Sequence, residues 1–197
     1  MGFVKVKNGE QKTYRYKFLE KYVLGQSTNF NNPHEVINQC IRRAYKDMLS
    51  AGRYYINKSH NEYICEKFKI LLESKKFIFS RDLIDEVCGL FGEQEKIKYN
   101  EKFVTRFGLS QKFVNMTYKY LYVFNDYTQL NIDFSNCDCP LDSVILKKLD
   151  YKEKVWSKLN QEDYIKVQNI ISKKLEKENL SIELKEISNL AYDFINW

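Results

Sequence analysis

At 197 residues, with 44% hydrophobic and 15% aromatic composition, the chain is long enough to bury one sizeable core and too apolar to stay disordered. No stretch approaches the roughly 20 apolar residues of a membrane span. The start, Met1-Gly2-Phe3-Val4-Lys5-Val6-Lys7, fits neither a signal peptide nor a myristoylation site, so a cytoplasmic protein with no membrane association is expected.

The net charge of +6, from 32 basic against 26 acidic residues, is compatible with a phosphate backbone as partner without requiring one. Five cysteines (Cys40, Cys65, Cys88, Cys137, Cys139) are an odd number and widely scattered, which reads as free thiols rather than a disulfide framework. Cys137 and Cys139 form an isolated C-x-C with no further ligands at regular spacing, so neither a metal nor a cofactor is expected.

Two prolines and seven glycines favour long helices and an all-α fold. The first element is a short N-terminal β-hairpin, with Val4 and Val6 before the Asn8-Gly9 turn and Tyr14 and Tyr16 after it. A helix then starts at Asn32-Pro33, a cap residue followed by proline. It carries Ile37, Ile41, Ala44 and Met48 on one face and ends at Ala51-Gly52.

Residues 62–74 form the next helix, with Ile64, Phe68, Leu71 and Leu72 inward, and Ser80 caps a third with Leu83, Ile84, Val87 and Leu90 that stops at Gly92. A helix near 100–107, a turn at Gly108 and a long aromatic-rich helix over 111–124 follow. After a loop through Pro140, a helix restarts at Asp142. Tyr164, Val167, Ile171 and Leu175 mark another helix, and Ile187, Leu190, Ala191 and Phe194 a last one before Trp197. No linker interrupts the pattern, so residues 1–197 read as a single unit, built of two helical lobes.

The chemistry-bearing stretch is Phe107-Gly108-Leu109-Ser110-Gln111-Lys112, with Pro140-Leu141-Asp142-Ser143 downstream. A glycine in a tight turn between helices lets backbone N–H groups approach a phosphate closely. Such contacts position a protein on DNA without reading its sequence.

These residues resemble the helix-hairpin-helix DNA glycosylases, in which the lysine closing a G-h-G-x-K hairpin works with the aspartate of a P-h-D segment. Ser110 stands where the second glycine is usual. The long loop before Pro140 is most similar to that of the archaeal GO glycosylases, which excise 8-oxoguanine. Further likeness lies in Gln111-Lys112 with Lys119 two helical turns on, Tyr164 with Val167-Gln168, and the D-x-x-x-W ending at Asp193 and Trp197. The resemblance covers the C-terminal half, from Phe107 to Trp197.

It implies a monomeric glycosylase-like helical fold, with the helix-hairpin-helix near 100–124 and the aspartate segment over 139–150. The implied activity is that of a bifunctional N-glycosylase and AP lyase of base excision repair. Its partner would be double-stranded DNA containing a damaged base, and bound to DNA the protein would lie in the nucleoid.

Lys112 is the implied nucleophile, attacking the anomeric carbon and forming a Schiff base. Asp142 would stabilise the cationic sugar and help deprotonate the lysine. Lys119 would lower the Lys112 pKa by its charge. Asp193 and Trp197, spaced i, i+4, would bind the flipped base, with Pro140 fixing the aspartate segment. Gly108, Ser110 and Gln111 would meet the DNA backbone.

Plainer readings of the same residues are a solvated Lys112, a helix-capping Asp142 and a surface Lys119. A rival from another class is Arg53 and His60, which resemble the R-x(4–6)-H signature of helical HEPN ribonucleases. A helical protein that binds nucleic acid or protein without catalysis is the third possibility.

Overall fold

The computed structural model describes Leu24 and residues 27–52, 58–91, 96–99, 102–180 and 182–196. The expected hairpin over residues 4–16, together with Arg53 and Trp197, lies outside these described residues. The elements are α1 (Pro33–Gly52), α2 (Lys58–Ser74), α3 (Asp82–Leu90), β1 (Lys96–Tyr99), β2 (Lys102–Thr105), α4 (Arg106–Val123), α5 (Asn125–Thr128) and α6 (Ser143–Lys148). A 3₁₀ turn (Trp156–Lys158) then leads into α7 (Gln161–Leu175), α8 (Ile182–Lys185) and α9 (Leu190–Asn196). The class is helical, as the sparse glycine and proline imply, and among the described residues no helix is long and apolar enough to cross a membrane.

Helix α1 follows its Asn32-Pro33 start and buries Val36, Ile37, Cys40, Ile41, Ala44 and Met48. Helix α3 buries Leu83, Ile84 and Val87, but Ser80 does not cap it. Its N-cap is Arg81, which makes no capping bond.

The largest departure lies between α3 and α4. Where a helix near 100–107 is expected, the chain forms an antiparallel ladder that pairs Lys96 with Thr105 and Tyr99 with Lys102. Apolar and charged residues alternate in Lys96-Ile97-Lys98-Tyr99, and a period of two is the strand pattern. Thr105 ends the ladder with an extended backbone, and its hydroxyl accepts the Gly108 N–H at 2.9 Å as the N-cap of α4. Among the described residues the helix-hairpin-helix expected over 100–124 is therefore not formed. Its glycine sits in the first turn of a single helix that runs from Arg106 to Val123.

Helix α4 is the centre of the molecule, buried on nearly every side from Gly108 to Val123. Phe113 packs against Tyr45 of α1 and Phe68 of α2, and Tyr118 meets Phe79 just before α3. A helix buried all round is ordinarily apolar. This one instead carries Gln111, Lys112, Asn115, Thr117 and Lys119 into the interior.

Gly108 is fixed by packing. A Cβ there would lie 2.8 Å from the Trp156 carbonyl oxygen and 2.8 Å from Ser157 C. Exposed Gly89, at the end of α3, has nothing within 4 Å of its Cβ direction. Gly108→Ala is expected to destabilise the fold by about 1–3 kcal/mol, the range for overpacking. Gly89→Ala is expected to be stabilising by up to about 1 kcal/mol through helix propensity. Urea unfolding of the two variants should move the midpoint in opposite directions.

Candidate active site

Gln111, Lys112, Asn115 and Lys119 of α4 find partners in the C-terminal half of the chain, and the Thr117 hydroxyl donates to the Phe113 carbonyl on its own helix. Gln111 faces Leu141: its Nε2 donates to the Leu141 carbonyl at 2.9 Å, and the Leu141 N–H donates to its Oε1 at 3.2 Å. Gln168 of α7 treats Cys139 in the same way, donating to its carbonyl at 2.7 Å and accepting its N–H at 3.1 Å. Pro140 stands buried between these two clamped peptides. Two primary amides thus supply the hydrogen bonds that a neighbouring strand would give, so the loop has no unpaired backbone groups at Cys139 or Leu141.

One residue earlier, the carboxylate of Asp138 accepts two hydrogen bonds from Arg81, at 2.7 and 3.0 Å, and one from Tyr164 at 2.9 Å. Asn115 of α4 donates in turn to the Tyr164 hydroxyl at 2.8 Å. The loop is therefore tied to α3, α4 and α7 at once.

This bracing delivers Asp142. Its Oδ1 accepts the Val144 and Ile145 N–H groups at 2.9 and 3.0 Å, which makes it the N-cap of α6. The capping interaction uses one oxygen and fixes the carboxylate plane. Oδ2 is left facing Lys112 Nζ at 3.6 Å. The capping reading and the catalytic reading of Asp142 thus describe the two oxygens of a single side chain.

Lys112 is only 4% exposed, whereas the Asp142 side chain is 30% exposed, so the carboxylate forms the solvent edge of the pair and the amine lies behind it. The amine also lies 4.7 Å from the centroid of the Trp156 ring. Burial holds the Lys112 pKa below the ordinary lysine value, against the opposing fields of Asp142, Asp47 and Asp193.

Lys119 lies two turns along the same helix and pairs with Asp193 of α9 at 2.5 Å, with both side chains buried. Burial pushes the Asp193 carboxyl up and the Lys119 ammonium pulls it down, burial being the larger effect. Lys119 is therefore not the surface charge of the plainer reading. The main cause lowering the Lys112 pKa is desolvation, where the sequence points to the charge of Lys119.

The expected DNA-backbone residues are corrected by the geometry. Ser110 is fully buried beside the Cys88 thiol, Gln111 is fully buried on Leu141, and the Gly108 N–H is occupied by Thr105. None presents a free N–H to a phosphate in this arrangement.

Sequence reasoning also misses four contributors. Trp156 and Asp138 lie in segments without periodicity. Asp47 of α1, which accepts the Tyr120 hydroxyl and pairs with Arg43 at 3.1 Å, comes from the half without a motif. The clamping role of Gln168 had only its place beside Tyr164 and Val167 as a signal. Of the ribonuclease pair, His60 stands in the first turn of α2. Among the described residues no cluster of His, Cys, Asp and Glu has the grouping of a metal site.

Gln168→Met keeps the side-chain length but leaves the Cys139 N–H and carbonyl buried without partners. It is expected to destabilise the protein by about 1–3 kcal/mol, measured by urea unfolding. Lys119→Met strands the Asp193 carboxylate and is expected to destabilise the protein by about 3–5 kcal/mol, less below the Asp193 pKa, where that group is neutral. No protein-family model matches this chain, and comparison with curated proteins and with solved structures finds none that is significantly similar.

Proposed function

We propose that this chain is a DNA glycosylase with AP lyase activity, acting on double-stranded DNA that contains an oxidised purine such as 8-oxoguanine. The observation that carries this reading is the buried Lys112 amine beside the second oxygen of Asp142, whose first oxygen is locked by capping. A desolvated amine with a lowered pKa has a larger neutral, nucleophilic fraction near pH 7 than an exposed lysine.

In the proposed reaction the flipped nucleotide brings its anomeric carbon to Lys112. The Asp142 carboxylate faces the cationic charge that develops on the sugar as the glycosidic bond stretches. The base leaves with the bonding pair and takes up a proton. The Lys112 nitrogen bonds to the anomeric carbon and loses a proton to the carboxylate. Opening of the sugar ring gives a Schiff base, from which elimination breaks the strand on the 3′ side.

Lys119, on the same face of α4 as Lys112, and its buried partner Asp193 of α9 offer a fixed donor and acceptor to the edge of a flipped base. The order along the chain of Lys112, Lys119, Pro140, Asp142, Asp193 and Trp197 supports the oxidised-purine branch through the resemblance already noted.

Incubation with duplexes carrying single lesions, followed by borohydride reduction, should trap a covalent adduct, with 8-oxoguanine among the reactive lesions. Lys112→Gln should abolish trapping while duplex binding survives. Trapping retained in that variant would mean that another amine is the nucleophile. Asp142→Asn keeps an Oδ1 acceptor at the cap, so stability should fall by less than about 1 kcal/mol. Excision should fall by at least about 10²-fold. A large loss of stability with unchanged excision would reduce Asp142 to a cap.

A further inference from the structure

Besides Asp142, the Lys112 amine faces a segment that no sequence pattern marks. Trp156 opens a 3₁₀ turn flanked by extended residues, Val155 at ψ 149° and Leu159 at ψ 140°. The indole is buried, and its ring centroid lies 4.7 Å from Lys112 Nζ.

The turn is seated on the first turn of α4 by two contacts. The Thr105 hydroxyl donates to the Leu159 carbonyl at 2.5 Å, and Gly108 leaves bare the space into which the Trp156 carbonyl and the Ser157 backbone descend. Lys112 is i+4 from Gly108 on the same face of that helix. The missing side chain at position 108 therefore sets the depth at which the indole meets the amine.

An aromatic face beside a lysine does two opposed things. Its π electrons attract the ammonium, and its bulk excludes the water that would solvate that charge. The charged groups facing Lys112 are Asp142 at the start of α6, Asp47 on α1 and Asp193 on α9, and all three favour the ammonium. Lys119, on its own helix, is engaged with Asp193. Exclusion of water is what works toward the neutral amine, and the indole is a large apolar surface whose ring centroid lies 4.7 Å from the nitrogen.

We infer that Trp156 is a positioning residue for the Lys112 nucleophile, walling the amine from water and aiming it toward Asp142. Gly108 is bare so that the backbone of residues 156 and 157 can deliver the indole. The role in excision rests on the glycosylase reading, whereas the effect on Lys112 itself does not.

The test is a pH titration of the lysine side-chain NMR signals of the full chain without DNA. The Lys112 resonance is identified by its loss in Lys112→Gln. In the wild type, the Lys112 Hε signals should lie upfield through the indole ring current. The midpoint should lie below the ordinary lysine value.

Trp156→Ala should abolish the upfield displacement and move the midpoint upward toward the ordinary lysine value. Trp156→Phe should retain most of both. Gly108→Ala should move both in the same direction as Trp156→Ala, with each contacting residue still present. Should the alanine variant not fold, Trp156→Leu keeps an apolar wall without a π face. It should preserve the low midpoint and lose the upfield displacement.

On a lesion-bearing duplex, Trp156→Ala should shift the acidic limb of kcat to higher pH by the same interval as the titration. KM should change by less than about twofold. Lys112 signals and midpoint unmoved in folded Trp156→Ala, or an upfield displacement that persists in Trp156→Leu, overturn the inference. Absence of excision by the wild type, with the titration behaving as described, counts against the glycosylase reading alone.

Discussion

A polar helix at the centre of a folded chain is a constraint that everything around it must meet. Buried amides and charges are costly unless each has a partner. Helix α4 brings two amides, the hydroxyls of Ser110 and Thr117 and two lysines into the interior. The apolar faces of α1 and α2 cover one side of it through Phe113, and this part of the arrangement follows ordinary core packing. The other side forces specificity on the C-terminal half. Gln111 requires the Leu141 peptide, Asn115 the Tyr164 hydroxyl, Lys112 a carboxylate and Lys119 another. The segments between α5 and α9 are held where those partners are needed, which explains how a loop of little regular structure keeps a defined path.

The two lysines illustrate how the same constraint gives different chemistry. Lys119 and Asp193 are both buried and in close contact, so their charges compensate each other. The partner of Lys112 is farther away, half turned to solvent, and shared with a helix cap. In this looser pair burial outweighs the nearby carboxylates and holds the Lys112 amine below the ordinary lysine pKa.

The helical class, α1 with its start at Asn32-Pro33, α7 and the inward faces of α2 and α3 are legible in the sequence because their apolar residues recur with the helical period. Lys112, Lys119, Asp142 and Asp193 are legible for another reason. Their residue types and order resemble a known pattern; the fold places Lys112 beside Asp142 as that resemblance implies, whereas the pairing of Lys119 with Asp193 is a contact the sequence does not suggest. The stretch near 100–107 is misread as helix and the residues before it as a turn, although Ile97, Tyr99, Phe103 and Val104 are strand-favouring types and residues 96–99 alternate.

That error carries the glycine with it. Once Thr105 is seen as a cap, Gly108 falls inside a helix and serves backbone packing. Trp156 and Asp138 were beyond reach because their roles arise from contacts with residues far away in sequence, and no period or spacing encodes such contacts.

The two glutamine clamps have a consequence for the motions of the molecule. Cys139 and Leu141 belong to no helix or strand, yet their N–H groups are held in buried, two-sided hydrogen bonds. Between them stands a proline, which has no exchangeable proton. The segment should therefore exchange its amide hydrogens as slowly as the core of α4, opening only in the larger fluctuations that loosen the whole interior. An irregular loop would then share the cooperativity of the hydrophobic centre, and the aspartate at its end would be as immobile as a residue on a rigid helix.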